Sequence, residues 1–445
     1  MNRYIKSLIV LVFSISLLGG AEAQTAKMTL DQCVETALKQ NPNVLISLFS
    51  KKIASKDVLE SLSQFLPQIS TGVGYYHSVI GPSSKLRIDP STGIPVPVQP
   101  FEIKSWSSSA SITVNQQIFS GGRNLFNYKR TKSMAKSAEY NLEDIKQQTI
   151  YLVKERYFNL LKTEHLLEIA KENIKSSEES YKRAETLYNV GKAPKSDLLK
   201  AKVQLENDKL GLIEAQNNLS VARSSLNYVL GFSVDHEIDV VDNLEMTAFD
   251  ISYEDAMSRA FTNHPRLKKQ EWDVKAAKAA FGYSAAQFLP TVSAYYQYSW
   301  HNEKFSAIDK MFDKDYNWYA GVSLSLPVFQ GFSRYAYVSK AKLTLSSQKI
   351  ALDQAKKDVA LEVKQAFFQV NQARKKIFVT RDAIAAAQED LRINKEKYGL
   401  GAGTMLDLIN AQVSYAKAKS DNVQALYDYK YAVARLEKAM GVLTR

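Results

Sequence analysis

The sequence predicts a mostly α-helical chain that also carries membrane β-strands, built as two copies of one unit. Three observations predict it. Residues 123–190 and 332–398 run without a single Gly or Pro, for 68 and 67 positions. Inside both runs apolar residues recur at every seventh position, and the series returns after a shift of 210. Ahead of each run lie two segments in which apolar and small polar residues alternate, the period-two pattern of a strand between two environments.

The chain opens with Arg3 and Lys6, an apolar stretch Leu8–Leu18, and Ala21-Glu22-Ala23. This is the pattern of a secretory signal peptide over 1–23, cut after Ala23, with an uncleaved anchor as the alternative. Cys33 lies ten residues past the cut, after polar residues, which disfavours a lipoprotein. No later apolar run reaches the ~18 residues that a membrane helix needs. The formal charge of +12 becomes +11 without residues 1–23. Strong basicity can signal nucleic acid. Here export, and Lys and Arg alternating with Glu along the helices, point to a solvated helix face and to no nucleic-acid partner. A single cysteine excludes an internal disulfide framework.

Repeat 1 covers 24–231 and repeat 2 covers 251–445. At offset 223, Thr29 and Gln32 match Ser252 and Asp255, Asn41-Pro42 matches His264-Pro265, and Gln64-Phe65-Leu66-Pro67 matches Gln287-Phe288-Leu289-Pro290. The first pair has capping-box spacing and the second is a looser version. Each opens a helical segment, about 29–65 and 252–288, stopped by Leu-Pro. Between the repeats, 232–250 holds six Asp and Glu and no Lys or Arg, and is expected to be a non-helical acidic linker.

The strands form hairpins over 66–119 and 289–329. Ile69, Thr71, Val73, Tyr75 and His77 alternate with Ser70, Gly72, Gly74, Tyr76 and Ser78. Val292–Trp300, Ala110–Ile118 and Trp318–Val328 show the same phase. Strands of about ten residues with one apolar face and aromatics near their ends are the signature of an outer-membrane strand; an ordinary half-buried sheet is the alternative. The first hairpin is longer by 13 residues, and its segment 79–108, with five prolines, is expected to be an exposed loop.

In the long helices Val153, Leu160, Leu167, Ile174, Tyr181 and Tyr188 are matched by Val363, Val370, Ile377, Ile384, Leu391 and Tyr398. A second heptad position is mostly small: Thr149, Thr163, Ala170, Ser177 and Ala184 in the first copy, interrupted by Arg156, and Val359, Ala366, Ala373, Thr380 and Ala387 in the second. A strict heptad imposes left-handed supercoiling. Both helices end in Y-x-x-G-x5-D, and shorter helices 197–230 and 407–440 follow. Four strands cannot close in lipid, where every unpaired backbone group costs several kcal/mol. If the strands lie in a membrane the chain must therefore oligomerise, two copies giving eight strands and three giving twelve.

Signal peptide, tandem repeat, the Q-F-L-P ends and the doubled Y-x-x-G-x5-D turns together resemble the TolC family of outer-membrane efflux channels, over nearly all of the mature chain. The resemblance implies a homotrimer. Its twelve strands would form a β-barrel in outer-membrane lipid, and its helices an α-barrel across the periplasm. The far tip would meet a periplasmic membrane-fusion adaptor and an inner-membrane transporter. By resemblance the tip turns carry the gate. Asp407 falls on an acidic ring, Asn410 stands where the family often has a second Asp, and Asp197 and Tyr398 match positions that hold the tip shut. Gly403 stands where a basic partner is found, so a salt-bridge lock is in doubt. The adaptor-docking turns would be Val190-Gly191-Lys192 and Leu400-Gly401-Ala402, each without the family's apolar third residue. Asp197 and Asp407 could equally cap the helices that follow them.

No catalytic chemistry is legible. The five histidines lack metal-ligand spacing, and Gly399–Gly403 follows a helix, which suits a tight turn and not a phosphate loop. The expectation is a passive efflux duct without cofactor or metal. Type I protein or peptide secretion is the alternative, and a fibrous coiled-coil protein a distant one.

Overall fold

The computed structural model describes residues 27–82, 85–98, 102–242 and 249–443. The signal peptide expected over 1–23 lies outside them. The chain divides into two compact units. One holds Ser47–Leu142 and Pro265–Lys357; the other holds the chain up to Ile46, Glu143–His264 and Asp358–Arg445. Each unit draws on both sequence repeats. The expected boundary at 232–250 is therefore one of repetition and not of compactness.

In the first unit a four-stranded antiparallel sheet consists of β1 (Gln68–Ile80), β4 (Ile103–Phe119), β5 (Thr291–Asn302) and β6 (Tyr316–Ser325), in that spatial order. The register sets apolar residues opposite apolar ones: Ile69 faces Val114, Ile112 faces Tyr298, and Val292 faces Leu324. A slip of one residue would turn every side chain to the other face. Much of the apolar phase is open, with Ile69, Val322 and Leu324 about 70% exposed (71, 66 and 70%), while the facing pair Ala110 and Trp300 is buried. On the small-residue phase Tyr295 faces Gly321, and a Cβ added there would lie 2.6 Å from its hydroxyl.

The expected loop over 79–108 is corrected. β1 and β4 run further into it, and β2 (Lys85–Ile88) and β3 (Pro95–Val98) form a small hairpin inside it. Its turn is closed by Asp89, whose side chain accepts from the Ser91 amide at 2.9 Å, and by Gly93 at φ 66°. Proline, which cannot donate, fits a two-stranded ribbon with free edges, so the prolines here did not forbid strands.

Helices follow the strand order. α2 (Pro42–Ser63) leads into β1, β4 into α3 (Arg123–Asn189), α6 (Pro265–Ala285) into β5, and β6 into α7 (Ser333–Gly399). Thr131 of α3 donates to Ser61 at 2.9 Å, Ser137 of α3 donates to Asp273 of α6, and Gln270 of α6 donates to Gln348 of α7 at 2.9 Å. The helix layer thus runs α2-α3-α6-α7, as the sheet runs β1-β4-β5-β6. α2 and α7 stand at its open edges, with Phe49, Ile53, Leu343 and Ile350 more than half exposed (56, 63, 69 and 70%).

The second unit contains α1 (Leu30–Gln40), α4 (Lys195–Leu230), α5 (Tyr253–Asn263), α8 (Met405–Ala439) and the later parts of α3 and α7. Its main core joins Val153, Leu160 and Tyr157 of α3 to Cys33 and Ala37 of α1, Leu226 and Leu230 of α4, and Tyr427 of α8. Both heptad stripes contribute to the buried faces: Val359, Ala366 and Ala184 of the small one are fully covered, as are Val153, Leu160 and Val363 of the large one.

The single opening helices expected over 29–65 and 252–288 are each two helices. Pro42 and Pro265 lack an N–H and push the preceding residue into extended backbone, Asn41 at ψ 126° and His264 at ψ 118°. Both breaks are packed alike. α4 ends at Gly231 (φ 87°), where a Cβ would meet the Gln40 carbonyl oxygen at 2.8 Å; Asn41 Nδ2 donates to the Val229 carbonyl at 2.8 Å. Gly441 (φ 68°) lies against His264, with a Cβ 2.6 Å from its Cα. The Thr29–Gln32 capping box is complete, while Ser252 caps the Asp255 amide. The described residues of the linker contain no helix. Val240 pairs with Met28, Tyr157 donates to the Val241 carbonyl at 2.5 Å, and His165 lies 2.9 Å from Asp242.

Gly231→Ala and Gly441→Ala should each destabilise the protein by roughly 1–3 kcal/mol, since both combine strained φ with a backbone clash. Gly211→Ala, in open space within α4, should be neutral or stabilising by up to ~1 kcal/mol. Thermal unfolding of the three variants separates the cases.

Candidate functional site

Two turns close the long helices. Val190–Pro194 joins α3 to α4, and Leu400–Thr404 joins α7 to α8. Both use one construction. Gly191 and Gly401 adopt φ 74° and 76°, which L side chains resist. The Lys192 amide then donates to the Leu187 carbonyl at 2.8 Å, and the Ala402 amide to the Lys397 carbonyl at 2.9 Å. This six-to-one bond satisfies carbonyls that a helix end would otherwise leave open.

The turns present their tips to solvent. Val190 is 62% and Leu400 86% exposed, and Gly191, Lys192, Gly401 and Ala402 are exposed too. Beneath them the ends of α3, α4, α7 and α8 converge on one apolar cluster of Ala184, Ala201, Tyr398, Met405 and Leu408.

The two tyrosines of the repeated motif part company here. Tyr188 is 38% exposed and Tyr398 only 5%. The Tyr398 hydroxyl is buried without a hydrogen-bond partner. Burial first, and then the nearby Asp197 carboxylate, push its pKa up, with Arg183 opposing. The structure therefore brings Tyr398 and Asp197 into one electrostatic neighbourhood, and Arg183 of α3 is the basic group beside them. Arg183 also approaches Gly399, where a Cβ would sit 3.4 Å from its guanidinium. Since the folded state favours neutral Tyr398, its contribution is held below the ordinary tyrosine pKa of about 10 and declines as pH rises above it.

The two aspartates also divide. Asp407 is a cap: Thr404 Oγ1 accepts from the Asp407 amide at 3.1 Å, and the Asp407 carboxylate accepts from the Thr404 hydroxyl at 2.7 Å and from its amide at 3.3 Å. These bonds hold its pKa below the usual carboxylate value. Asp197 caps nothing with its side chain. Pro194 occupies that N-cap, and the Asp197 carboxylate lies 3.9 Å from Lys200. Asp407 and Asn410 are both exposed.

A polar cavity between α3, α4 and α8 escaped the sequence reading. It has a volume of about 460 Å³. Gln412 Nε2 donates to Ser176 Oγ at 2.9 Å and Ser180 Oγ at 2.8 Å, and Lys419 pairs with Glu172. Burial raises the pKa of Asp208 on its wall, against hydrogen bonds from Ser177 and Gln204. Ser and Gln carry no spacing signal, and at offset 210 Gln412 meets Lys202, so the repeat did not mark it.

Thr404→Ala should remove the cap and cost about 1 kcal/mol locally. Hydrogen exchange at the start of α8 should accelerate, whereas Asp197→Ala should leave the start of α4 unchanged.

No helix among the described residues is long and apolar enough to cross a membrane. The profile of one family, described as outer membrane efflux protein, matches residues 33–232 and 256–442. The chain is 23% identical over 422 residues to outer membrane efflux protein BepC of Brucella suis biovar 1 (strain 1330), covering 94% of this chain and 86% of that protein. Identity to outer membrane protein TolC of Escherichia coli (strain K12) is also 23%, over 98% of this chain and 87% of TolC. The alkaline protease secretion protein AprF of Pseudomonas aeruginosa is 21% identical over 71% of this chain and 66% of AprF. Among solved structures, the CmeC outer membrane channel of Campylobacter jejuni superposes with TM-score 0.81 at 20% identity, over 93% of this chain and 85% of CmeC. That likeness establishes a shared fold. Two matched segments, one in each sequence repeat and together spanning most of the sequence, place the chain in the outer membrane efflux protein family.

Proposed function

We propose that three copies of this chain close into one channel that serves as the passive outer-membrane duct of a tripartite efflux system. The observation that carries the reading is the four-stranded layer with two open edges. β1 and β6 run in opposite directions, so the edge of one copy can continue antiparallel onto the next. Three copies supply twelve strands, and the open edges of α2 and α7 meet in the same way. The exposed turns at Val190–Lys192 and Leu400–Ala402 would dock a periplasmic adaptor, which couples the duct to an inner-membrane transporter. Deleting the gene should sensitise cells to dyes, detergents or antibiotics. Unchanged resistance would count against the reading.

Protein secretion is the second reading, favoured by the similarity to AprF. It predicts that deletion empties the culture medium of one or a few proteins while drug resistance stays intact.

In the proposed trimer Asp407 and Asn410, exposed near the start of α8, would ring the narrow end. Three like charges gathered by symmetry attract cations. Thr404 holds the Asp407 carboxyl low. The cap favours the charged carboxylate, mutual repulsion in the ring opposes it, and the charge is lost as pH falls through the shared titration of the three groups. Asp407→Asn retains an acceptor for the cap and removes the charge. In bilayer recordings it should raise single-channel conductance and weaken block by multivalent cations; identical recordings would remove the acidic ring from the account. Lys192, in place of an apolar residue, would bear on adaptor choice.

A further inference from the structure

The charge of the chain is concentrated in the helical part of the unit that carries the strands. Segments 47–66, 120–142, 265–290 and 330–357 hold nineteen Lys and Arg against six Asp and Glu, a net +13. The strands and their loops, 67–119 and 291–329, are net zero, and the rest of the chain after residue 23 is net −2. The basicity of the whole protein is thus the basicity of the helical part of one compact unit.

Two further observations give this charge a partner. The corners between strand and helix expose large apolar side chains: Leu66, Ile118, Val328, Phe329 and Phe332 are all at least 60% exposed (63, 60, 91, 73 and 75%). Just beyond them lysines lie over aromatic rings, Lys129 over Phe126 at 5.7 Å and Lys132 over Tyr128 at 5.8 Å, and further along α6 Lys275 lies over Trp272 at 3.6 Å. An apolar rim followed by ammonium groups on amphipathic stems is the arrangement that suits the boundary between acyl chains and headgroups. Lys129, Lys132 and Lys340 are exposed and lie within the first turns of α3 and α7.

We propose that these helix ends form a basic collar that binds anionic phospholipid headgroups in the periplasmic leaflet of the outer membrane. The inference rests on the reading above, in which the strands span that membrane and the helices continue on its periplasmic side. The collar fixes the depth of the channel by charge as well as by its apolar band. Each basic residue near an anionic surface strengthens binding about fivefold, and the effect fades beyond a Debye length of ~8 Å. The first turns therefore matter most.

The test uses the full-length protein reconstituted in vesicles of phosphatidylethanolamine, with spin-labelled phosphatidylglycerol or spin-labelled phosphatidylethanolamine as probe. The protein-immobilised fraction of each probe gives their relative association. Wild type should prefer phosphatidylglycerol several-fold, and added salt should reduce the preference. Lys129→Glu/Lys132→Glu/Lys340→Glu should abolish it. The milder Lys129→Gln/Lys132→Gln/Lys340→Gln should weaken it, which covers the case in which the first variant does not fold. Lys202→Glu/Lys209→Glu/Lys417→Glu, the same charge change elsewhere, should leave it intact. Equal association of both probes with wild type overturns the collar while leaving the channel reading untouched. Absence of any immobilised lipid instead overturns the membrane reading. A changed anion selectivity of the pore with unchanged lipid preference would place the lysines on the lumen wall and also overturn the collar.

Discussion

The unpaired edges of one sheet govern this molecule. β1 and β6 each present a row of backbone donors and acceptors with no strand partner among the described residues. At a water-exposed edge such groups are solvated; in lipid each costs several kcal/mol. A family of outer membrane proteins cannot leave them there. The antiparallel sense of the two edges supplies the remedy, since each edge suits the other edge of a further copy. The exposed apolar phase of the strands, with Ile69, Val322 and Leu324, faces the same demand from the side chains.

The helices inherit the order of the sheet, so the proposed closure would serve both layers of that unit. Duplication makes this economical. One set of local rules, used twice, places two long helices, two proline breaks and two glycine-closed turns. The copies then diverge at their tip turns. Thr404 and Asp407 form a full capping box where the first turn has Pro194 and an uncapping Asp197. Tyr398 is buried where Tyr188 is open. Charge diverges between regions as well, and nearly all the excess lies in the helical part of the unit that carries the strands.

Much of this was legible in the sequence because it is written as period. Heptads marked α3 and α7 almost to the residue, and alternation marked the four long strands and their apolar phase. The Thr29 and Ser252 caps were visible as spacing. What escaped depends on contacts between distant residues. Asn41-Pro42 and His264-Pro265 were seen as matching pairs, yet the helical pattern on both sides hid the break that Gly231 and Gly441 pack against. Prolines at 95 and 97 suggested a loop, although a free-edged ribbon tolerates them. At the tip, the sequence marked Asp197 and Asp407 as equivalent; only the neighbours Pro194 and Thr404 make one a helix cap and the other not. Arg183 and the Gln412–Ser176–Ser180 network left no trace, because neither follows the repeat.

Joining the open edges is the most direct test of the whole account. Cysteines placed singly along β1 and along β6 can be paired in one chain and oxidised in the folded, membrane-inserted protein, with Cys33 buried and its thiol pKa pushed up to about 12. The account predicts that some register of β1 with β6 gives a covalent species of three chains as the largest product on a non-reducing gel. Ladders that stop at two chains, continue past three, or never leave the monomer at any register would contradict it.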